Sequence, residues 1–244
     1  MQVKVVFVTG ASHGIGEAVS LEFARKGYAL AINCLSSKDK LERLAQVITE
    51  RFHVPCLPLV GDISDETFVE NAFGAIREKF GRIDVLVNNA GISYIGLLTD
   101  MCLAEWERVM QVNLTSLFCC CKHAIPLMLR EKSGAIVNIS SVWGNVGASC
   151  EVAYSASKGG VNAFTKALAK ELAPSGISVN AIACGAINTR MNQCFSQEEH
   201  QQLEEEIPAG RFGTPEEVAR LAASIAESPS YLTGQVISLD GGWR

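Results

Sequence analysis

Short runs of β-branched and other apolar residues alternate along this chain with longer stretches whose apolar residues recur at helical spacing. The candidate strands are Val3–Val8, Ala29–Cys34, Cys56–Val60, Ile83–Val87, Ala135–Ile139, Ser178–Ala183 and Gln235–Leu239. The helical stretches between them include Ile15–Arg25, Lys38–Phe52, Glu66–Phe80 and Tyr154–Ala173. Strands that alternate with helices indicate a parallel sheet with helices on both faces. We therefore expect the α/β class, with a doubly wound, Rossmann-like and mostly parallel seven-stranded sheet.

Length and composition favour one ordinary globular domain. The chain has 244 residues, of which 48% are hydrophobic, and this is ample for a large core. No Pro/Ser-rich linker, low-complexity tract or internal repeat divides it, so we predict a single domain over residues 1–244. The formal net charge of −5 gives no reason to expect nucleic acid or an anionic membrane as a partner.

The chain shows no targeting or membrane-spanning pattern. Its first residues, Met1–Val8, lack the apolar region and cleavage site of a secretory signal. The most apolar helical stretch, Leu114–Leu129, is interrupted by Lys122, His123 and Pro126, so we expect no membrane span. Nine cysteines without a secretory signal predict a reducing, cytoplasmic location. None has Cys-x-x-Cys spacing, and we expect no metal site.

A glycine-rich turn follows the first candidate strand and leads directly into a helix: Thr9-Gly10-Ala-Ser-His13-Gly14-Ile-Gly16. Glycine lets the backbone approach a pyrophosphate, and the free amides and dipole of a helix N-terminus favour its negative charge. No Gly-Lys-Ser/Thr follows, which excludes the phosphate loop of nucleoside triphosphatases. The turn therefore predicts a dinucleotide site.

Tyr154 and Lys158 lie four residues apart, so on a helix they share one face. A free phenol has a pKa of roughly 10. A lysine cation beside it favours the phenolate and lowers that pKa toward the working pH of a general acid or base. The same spacing arises by chance in many proteins, and its weight depends on the motifs around it.

Several motifs occur in one order over essentially the whole chain. They are Thr9-Gly10-x3-Gly14-x-Gly16, Asn88-Asn89-Ala90-Gly91, Asn113, Ser141, Tyr154-x3-Lys158 and Thr233-Gly-Gln-Val-Ile-x-x-Asp240-Gly-Gly. Together they resemble the short-chain dehydrogenase/reductase family. The stretch that begins Ile207-Pro-x-Gly-Arg211 is similar to the 3-oxoacyl-acyl-carrier-protein reductases of that family. Many sugar, steroid and polyol dehydrogenases share the chain ending.

The resemblance implies four catalytic residues, Asn113, Ser141, Tyr154 and Lys158. Tyr154 would give a proton to the carbonyl oxygen of the substrate during reduction, and Ser141 would donate to the same oxygen. Lys158 would lower the pKa of Tyr154 and bind the nicotinamide ribose. Asn113 would hold a water that links Lys158 to solvent. The hydride belongs to the cofactor.

The expected cofactor-binding set combines the glycine-rich turn with positions implied by the resemblance. It comprises Gly10, Ser12, His13, Gly14, Ile15, Gly16, Ser36, Ser37, Asp62, Ile63, Asn89, Ala90, Gly91, Tyr154, Lys158, Ile187 and Thr189. One departure from the family stands nearby, where Cys184-Gly185 replaces the usual Pro-Gly. Losing proline loosens this turn, and we expect an effect on substrate-loop closure without loss of activity.

The end of the second strand bears on the choice between NAD and NADP. NAD-specific sites place an acid there, about twenty residues beyond the glycines, and this chain has Cys34 at that place. Ser36, Ser37 and Lys38 offer donors, and His13 stands where many NADP-dependent relatives carry arginine. No carboxylate repels a 2′-phosphate at this place, so we predict NADP(H), with NAD(H) as the alternative.

Loops 93–103 and 188–206 are expected to face the substrate, the second with Met191 and Phe195. An acidic acyl carrier protein needs a basic patch near the site. Lys122, Arg130 and Lys132 are candidates for it, whereas Ser175 and the acidic helix Glu198–Glu206 argue against it.

The favoured function is an NADPH-dependent carbonyl reductase for a 3-oxoacyl thioester of acyl carrier protein or coenzyme A, in fatty acid biosynthesis. The alternatives are a hydroxysteroid, sugar or polyol alcohol dehydrogenase and, more distantly, a catalytically silent cofactor-binding regulatory protein. The resemblance also implies a homotetramer, packed through Leu103–Glu131 and Tyr154–Ala173.

Overall fold

Seven strands form one sheet in the computed structural model, which describes residues 3–192 and 196–244, and every neighbouring pair is parallel. The strands are β1 (Val5–Val8), β2 (Ala29–Cys34), β3 (Cys56–Val60), β4 (Val85–Asn88), β5 (Gly134–Ser141), β6 (Ile177–Cys184) and β7 (Val236–Leu239). Their order across the sheet is β3-β2-β1-β4-β5-β6-β7. The predicted doubly wound α/β fold is confirmed, and the sheet is entirely parallel among the described strands.

Helices connect the strands and cover both faces of the sheet. The α-helices are α1 (Gly14–Arg25), α2 (Lys38–Phe52), α3 (Glu66–Phe80), α4 (Leu103–Met110), α5 (Ser116–Glu131), α6 (Trp143–Val146), α7 (Val152–Leu172), α8 (Gln197–Glu206) and α9 (Pro215–Glu227). A π-helical turn, Gln111–Thr115, joins α4 to α5. Short 3₁₀ turns occupy Leu98–Asp100, Ala173–Ser175 and Arg190–Asn192.

The core consists of two apolar layers, one on each face of the sheet. Phe23 of α1 and Ile48 of α2 are fully buried on one side, together with the inward face of α9. Ile76 of α3 and Met128 of α5 are fully buried on the other side, together with part of α7. Each such side chain contributes about 1.5–3 kcal/mol by leaving water. Because helices cover both faces, ligands reach the sheet at the ends of its strands.

Two central strands are longer than predicted, and this extension positions the site. β5 continues to Ser141 and β6 to Cys184, and these two residues are paired in register. Sequence patterns predicted ends at Ile139 and Ala183, because polar and small residues follow them. Among the described strands, β5 is paired with β6 alone beyond Asn138, and β6 is paired with β7 as far as Cys184, so these two ladders extend both strands. Ser141 is therefore held by the sheet.

The run Leu103–Glu131 is long and apolar enough to cross a membrane by length and composition alone. In the structure 56% of its most apolar window is buried inside the protein. The buried part includes Cys119, Cys120 and Cys121, which pack as small core residues. A buried core helix can be as long and as apolar as a membrane-spanning helix. The packing of this run inside the protein therefore explains its apolar composition.

Candidate active site

A cleft of about 490 Å³ opens where the strands end at their carboxyl termini. Loops that follow β1, β2, β3, β4, β5 and β6 all contribute to its lining. The carboxyl ends of the strands are where doubly wound sheets bind their ligands. All predicted site residues line the cleft except Gly16 and Asn113, which lie directly behind it.

The glycine-rich turn has the shape that a pyrophosphate requires. Gly10 and Gly14 adopt left-handed backbone conformations, with φ of +66° and +59°. His13 precedes α1, and its side chain accepts no hydrogen bond from the first backbone amides of the helix. A methyl group at Gly16 would lie 2.2 Å from the carbonyl oxygen of Gly10, so glycine is needed for the helix to pack this closely. These features fit a dinucleotide cofactor.

Asn89 fastens the loop after β4 to the glycine-rich turn. Its side-chain Nδ2 donates to the backbone oxygens of Thr9, at 2.9 Å, and Gly10, at 3.1 Å. The Thr9 hydroxyl accepts from the backbone amides of Asn89 and Ala90, each at 3.0 Å. The two loops therefore form one rigid wall of the cleft.

Asp62 is held by Ser64, two residues along the chain, and by Arg108 of α4. Its Oδ1 accepts from the backbone amide and hydroxyl of Ser64, and its Oδ2 lies 3.0 Å from the Arg108 guanidinium. Burial alone raises the pKa of Asp62, but the Ser64 hydrogen bonds and the Arg108 charge outweigh it and hold this pKa below its usual range. The carboxylate is thus charged and fixed beside the buried Ile63.

Positive charge gathers near His13 at the end of the cleft formed by Ser36 and Ser37. Burial lowers the pKa of His13, and the charges of Arg190 and Lys40 lower it further. Arg190 also lines the cleft. Sequence reasoning named Lys38 for this place, but in the structure the Lys38 ammonium lies 3.8 Å from Glu42 on the exposed surface of α2.

Ser141, Tyr154 and Lys158 come together at the centre of the cleft. Both hydroxyl-bearing side chains line this part of the cleft, and the Ser141 hydroxyl favours the ionised form of the Tyr154 phenol. The Lys158 ammonium lies 5.6 Å from the centroid of the Tyr154 ring and donates to the backbone oxygen of Ile139 at 2.8 Å. β5 supplies Ser141 and α7 supplies the other two side chains, as the helical spacing predicted.

Burial dominates the electrostatics of this cluster. It raises the pKa of Tyr154 well above 10, and the hydrogen bond with Ser141 offsets only part of that rise. It also lowers the pKa of Lys158 to about 8. The Lys158 charge alone would lower the pKa of Tyr154, which is the shift that the sequence predicts. The net shift is upward because removing water disfavours the charged form of each group.

Asn113 lies in the π-helical turn and braces the loop after β4. Its Nδ2 donates to the backbone oxygen of Ile92 at 2.9 Å and to the hydroxyl of Ser157 at 3.0 Å. Its Oδ1 accepts from the backbone amide of Ile92 at 2.8 Å. The wider turn directs this side chain toward α7. Its role with a bound water stays a prediction.

The remaining part of the cleft around Tyr154 is mostly apolar, and we refer to it as the substrate end. It is lined by Ser93, Ile95, Trp143, Glu151, Met191, Leu203, Phe212 and Trp243. The predicted substrate loops 93–103 and 188–206 do reach it, whereas Phe195 lies outside the described residues.

Several of these substrate-end residues were missed by sequence reasoning. Glu151 and Trp143 could have been found, because they stand close in sequence to Tyr154 and Ser141. No local signal pointed to Phe212 or Trp243, which are distant in sequence.

The basic residues proposed for carrier-protein docking do not form a patch at the cleft. Arg130 and Lys132 lie where α5 ends and β5 begins. This is the amino-terminal end of the strands, opposite the cleft. Lys122 is paired with Glu66 at 3.0 Å. Arg130 and Lys132 therefore cannot contribute to a basic patch at the cleft, because they lie at the end of the sheet where β5 begins.

A doubly wound parallel sheet with a dinucleotide turn and a buried Ser–Tyr–Lys cluster defines a class, the nicotinamide-dependent oxidoreductases. The family model described as short chain dehydrogenase matches residues 4–200. The chain belongs to the short-chain dehydrogenase family, as its motifs predicted.

Individual relatives cover nearly the whole chain. The uncharacterized oxidoreductase YmfI of Bacillus subtilis is 41% identical over 242 residues, 99% of either chain. The 3-oxoacyl-(acyl-carrier-protein) reductase FabG of Staphylococcus aureus is 41% identical over 240 residues, 98% of this chain and 97% of its own. The solved structure of YwfH, an NADPH dependent reductase involved in bacilysin biosynthesis, has a TM-score of 0.94 at 30% identity and covers 100% of this chain and 99% of its own. The predicted resemblance to 3-oxoacyl reductases is confirmed, and the chain is an oxidoreductase for small molecules with alcohol or carbonyl groups.

Proposed function

We propose that this protein is an NADPH-dependent reductase that acts on the ketone of a 3-oxoacyl thioester carried by acyl carrier protein or coenzyme A. The observation that carries the proposal is the 41% identity to FabG over nearly the full length of both chains. The cluster of Ser141, Tyr154 and Lys158 in the cleft supports the chemistry. We also propose that the protein acts in the cytoplasm, in fatty acid biosynthesis.

The side chains of the cluster divide the proton chemistry among them. The cofactor supplies the hydride that is added to the carbonyl carbon. Tyr154 gives its phenolic proton to the carbonyl oxygen, which completes the alcohol, and Ser141 donates a hydrogen bond that orients the same oxygen. Burial keeps Tyr154 protonated until that moment. Lys158, a cation below pH about 8, stabilises the phenolate that remains.

The preference for NADP(H) over NAD(H) rests on charge. Cys34 stands where NAD-specific enzymes carry an acid, and it is buried at the end of β2. The cations Lys40 and Arg190 near His13 favour a 2′-phosphate at this end of the cleft.

Acetoacetyl-coenzyme A should be reduced with a kcat/KM at least about tenfold higher with NADPH than with NADH, since one lost charged contact is worth roughly 1.4 kcal/mol or more. Initial rates of the purified protein at equal cofactor concentrations measure this. A preference for NADH would contradict the cofactor assignment. Turnover of sugar, steroid or polyol alcohols without thioester turnover would replace the substrate assignment.

We also propose a homotetramer that forms through Leu103–Glu131 and α7. Leu103, Phe118 and Leu129 are exposed on the first of these segments, and Val152 is exposed on α7. Contact with a second copy would remove these apolar side chains from water. Light scattering of the purified protein should give about four times the chain mass of 26.2 kDa. A monomeric mass would refute the assembly.

A further inference from the structure

Glu151 places a carboxylate in the apolar substrate end of the cleft, one helical turn before Tyr154. Its Oε2 accepts a hydrogen bond of 2.7 Å from the Ser93 hydroxyl. Within residues 3–192 and 196–244, no side chain donates to its Oε1 and no lysine or arginine lies within ion-pairing distance of it. Glu151 is therefore an anion without a countercharge, and one of its oxygens is open to a ligand.

The surroundings strengthen the effect of this charge on a ligand. Burial raises the pKa of Glu151 although the Ser93 hydrogen bond opposes that rise, as expected for an acid without a cation beside it. Glu151 and Tyr154 line the same end of the cleft, and the Glu151 charge raises the pKa of Tyr154. Because they share this end, a ketone whose oxygen meets Tyr154 has Glu151 in reach of one of its substituents. In apolar surroundings, that carboxylate attracts a hydrogen-bond donor and repels an anion strongly.

We propose that Glu151 is a specificity-determining residue of the reductase, an inference that rests on the function proposed above. It tolerates ketones that are uncharged beside the carbonyl, favours those that carry a hydrogen-bond donor there, and excludes those that carry a negative charge there. A 3-oxoacyl thioester is uncharged beside its ketone, whereas the 3-oxo acid released by its hydrolysis carries a carboxylate at that place. Glu151 thus keeps the hydrolysed acid out of the site.

Two small ketones that differ at one end group test the proposal, 4-hydroxy-2-butanone and the acetoacetate anion. At pH 8 the wild-type protein with NADPH should favour the hydroxyketone in kcat/KM by about 100-fold, because juxtaposed like charges cost several kcal/mol. Glu151→Gln keeps the shape and still accepts from Ser93, and it should reduce that ratio at least about tenfold by gaining activity on acetoacetate. Glu151→Asp retains the charge and should still reject acetoacetate.

Glu78→Gln is the matched control, since Glu78 is exposed on α3 and does not line the cleft. An unchanged substrate ratio in folded Glu151→Gln overturns the proposal. Failure of the reductase function gives a different result, with no NADPH oxidation by the wild-type protein for these ketones or for acetoacetyl-coenzyme A. In that case the relative binding affinity of the two ketones for the NADPH-bound protein, measured by ligand-observed NMR, tests the role of Glu151. Glu151→Gln should strengthen acetoacetate binding relative to the hydroxyketone, and an unchanged relative affinity refutes the role of Glu151.

Discussion

Replacing Tyr154 with phenylalanine should lower kcat by about 100- to 10,000-fold, the range that a positioned general acid contributes. The substitution removes one hydroxyl from a half-buried ring that lines the cleft, so the cleft keeps its shape. NADPH affinity should change little, since the glycine-rich turn and the Asn89 bridge are untouched. Stopped-flow turnover and NADPH fluorescence titration measure the two quantities.

Tyr231→Phe provides the control for this change, because the Tyr231 side chain is 99% exposed and does not line the cleft. Its activity should equal that of the wild-type protein. Substantial turnover by Tyr154→Phe would show that another group delivers the proton. A parallel loss of NADPH binding would show that the tyrosine holds the cofactor and would leave its proton role without support.

Replacing Lys158 with methionine should lower kcat by about 100-fold or more, since the developing phenolate at Tyr154 then has no cation near it. In the wild-type protein the pH profile of reduction should fall as pH rises through about 8, where Lys158 loses its proton. The pH-rate profiles of the two proteins check this.

The same substitution has a separate signature in stability. The pKa of Lys158 is about 8 in the folded protein, against about 10.4 for a free lysine in the unfolded chain. Between these pH values the unfolded chain binds the proton that the folded protein has released, so the free energy of unfolding rises with pH. Below pH 8 the buried cation exerts its full destabilising effect.

The wild-type protein should therefore gain stability relative to Lys158→Met between pH 8 and about 10. Urea unfolding at several pH values measures the difference. Lys166→Met on the exposed side of α7 is the control and should show no such trend. A constant difference across this pH range would mean that Lys158 keeps its proton in the folded protein.

Sequence reasoning predicted best where the determining signals are local. The bounds of α3 were predicted correctly because Asp65 caps its first amides and Gly81 ends it in a left-handed conformation. The meeting of Tyr154 and Lys158 follows in the same way from helical spacing. The upward shift of the Tyr154 pKa could not be predicted, because its burial depends on segments that are distant along the chain.

The charge near the cleft was the feature least predictable from the sequence, because it also depends on segments that are distant along the chain. Lys40 and Arg190 meet at His13 only through the folding of the crossover connections. Glu151 is close to Tyr154 in the sequence, but whether a lysine or arginine lies beside it depends on all the segments that pack around it. Sequence patterns therefore identified the motif residues and left the electrostatic character of the substrate end open.

The buried cysteines offer a way to follow opening of the protein by chemistry. Among the described cysteines Cys34, Cys56, Cys184 and the trio on α5 are buried, whereas Cys102 is exposed. A thiol reagent should modify the exposed group at once and the core thiols at the pace of local or global opening. Mass spectrometry of labelled peptides would resolve β2, β3, β6 and α5 separately. The chain thus carries native reporters of cooperativity in both apolar layers, without any engineered probe.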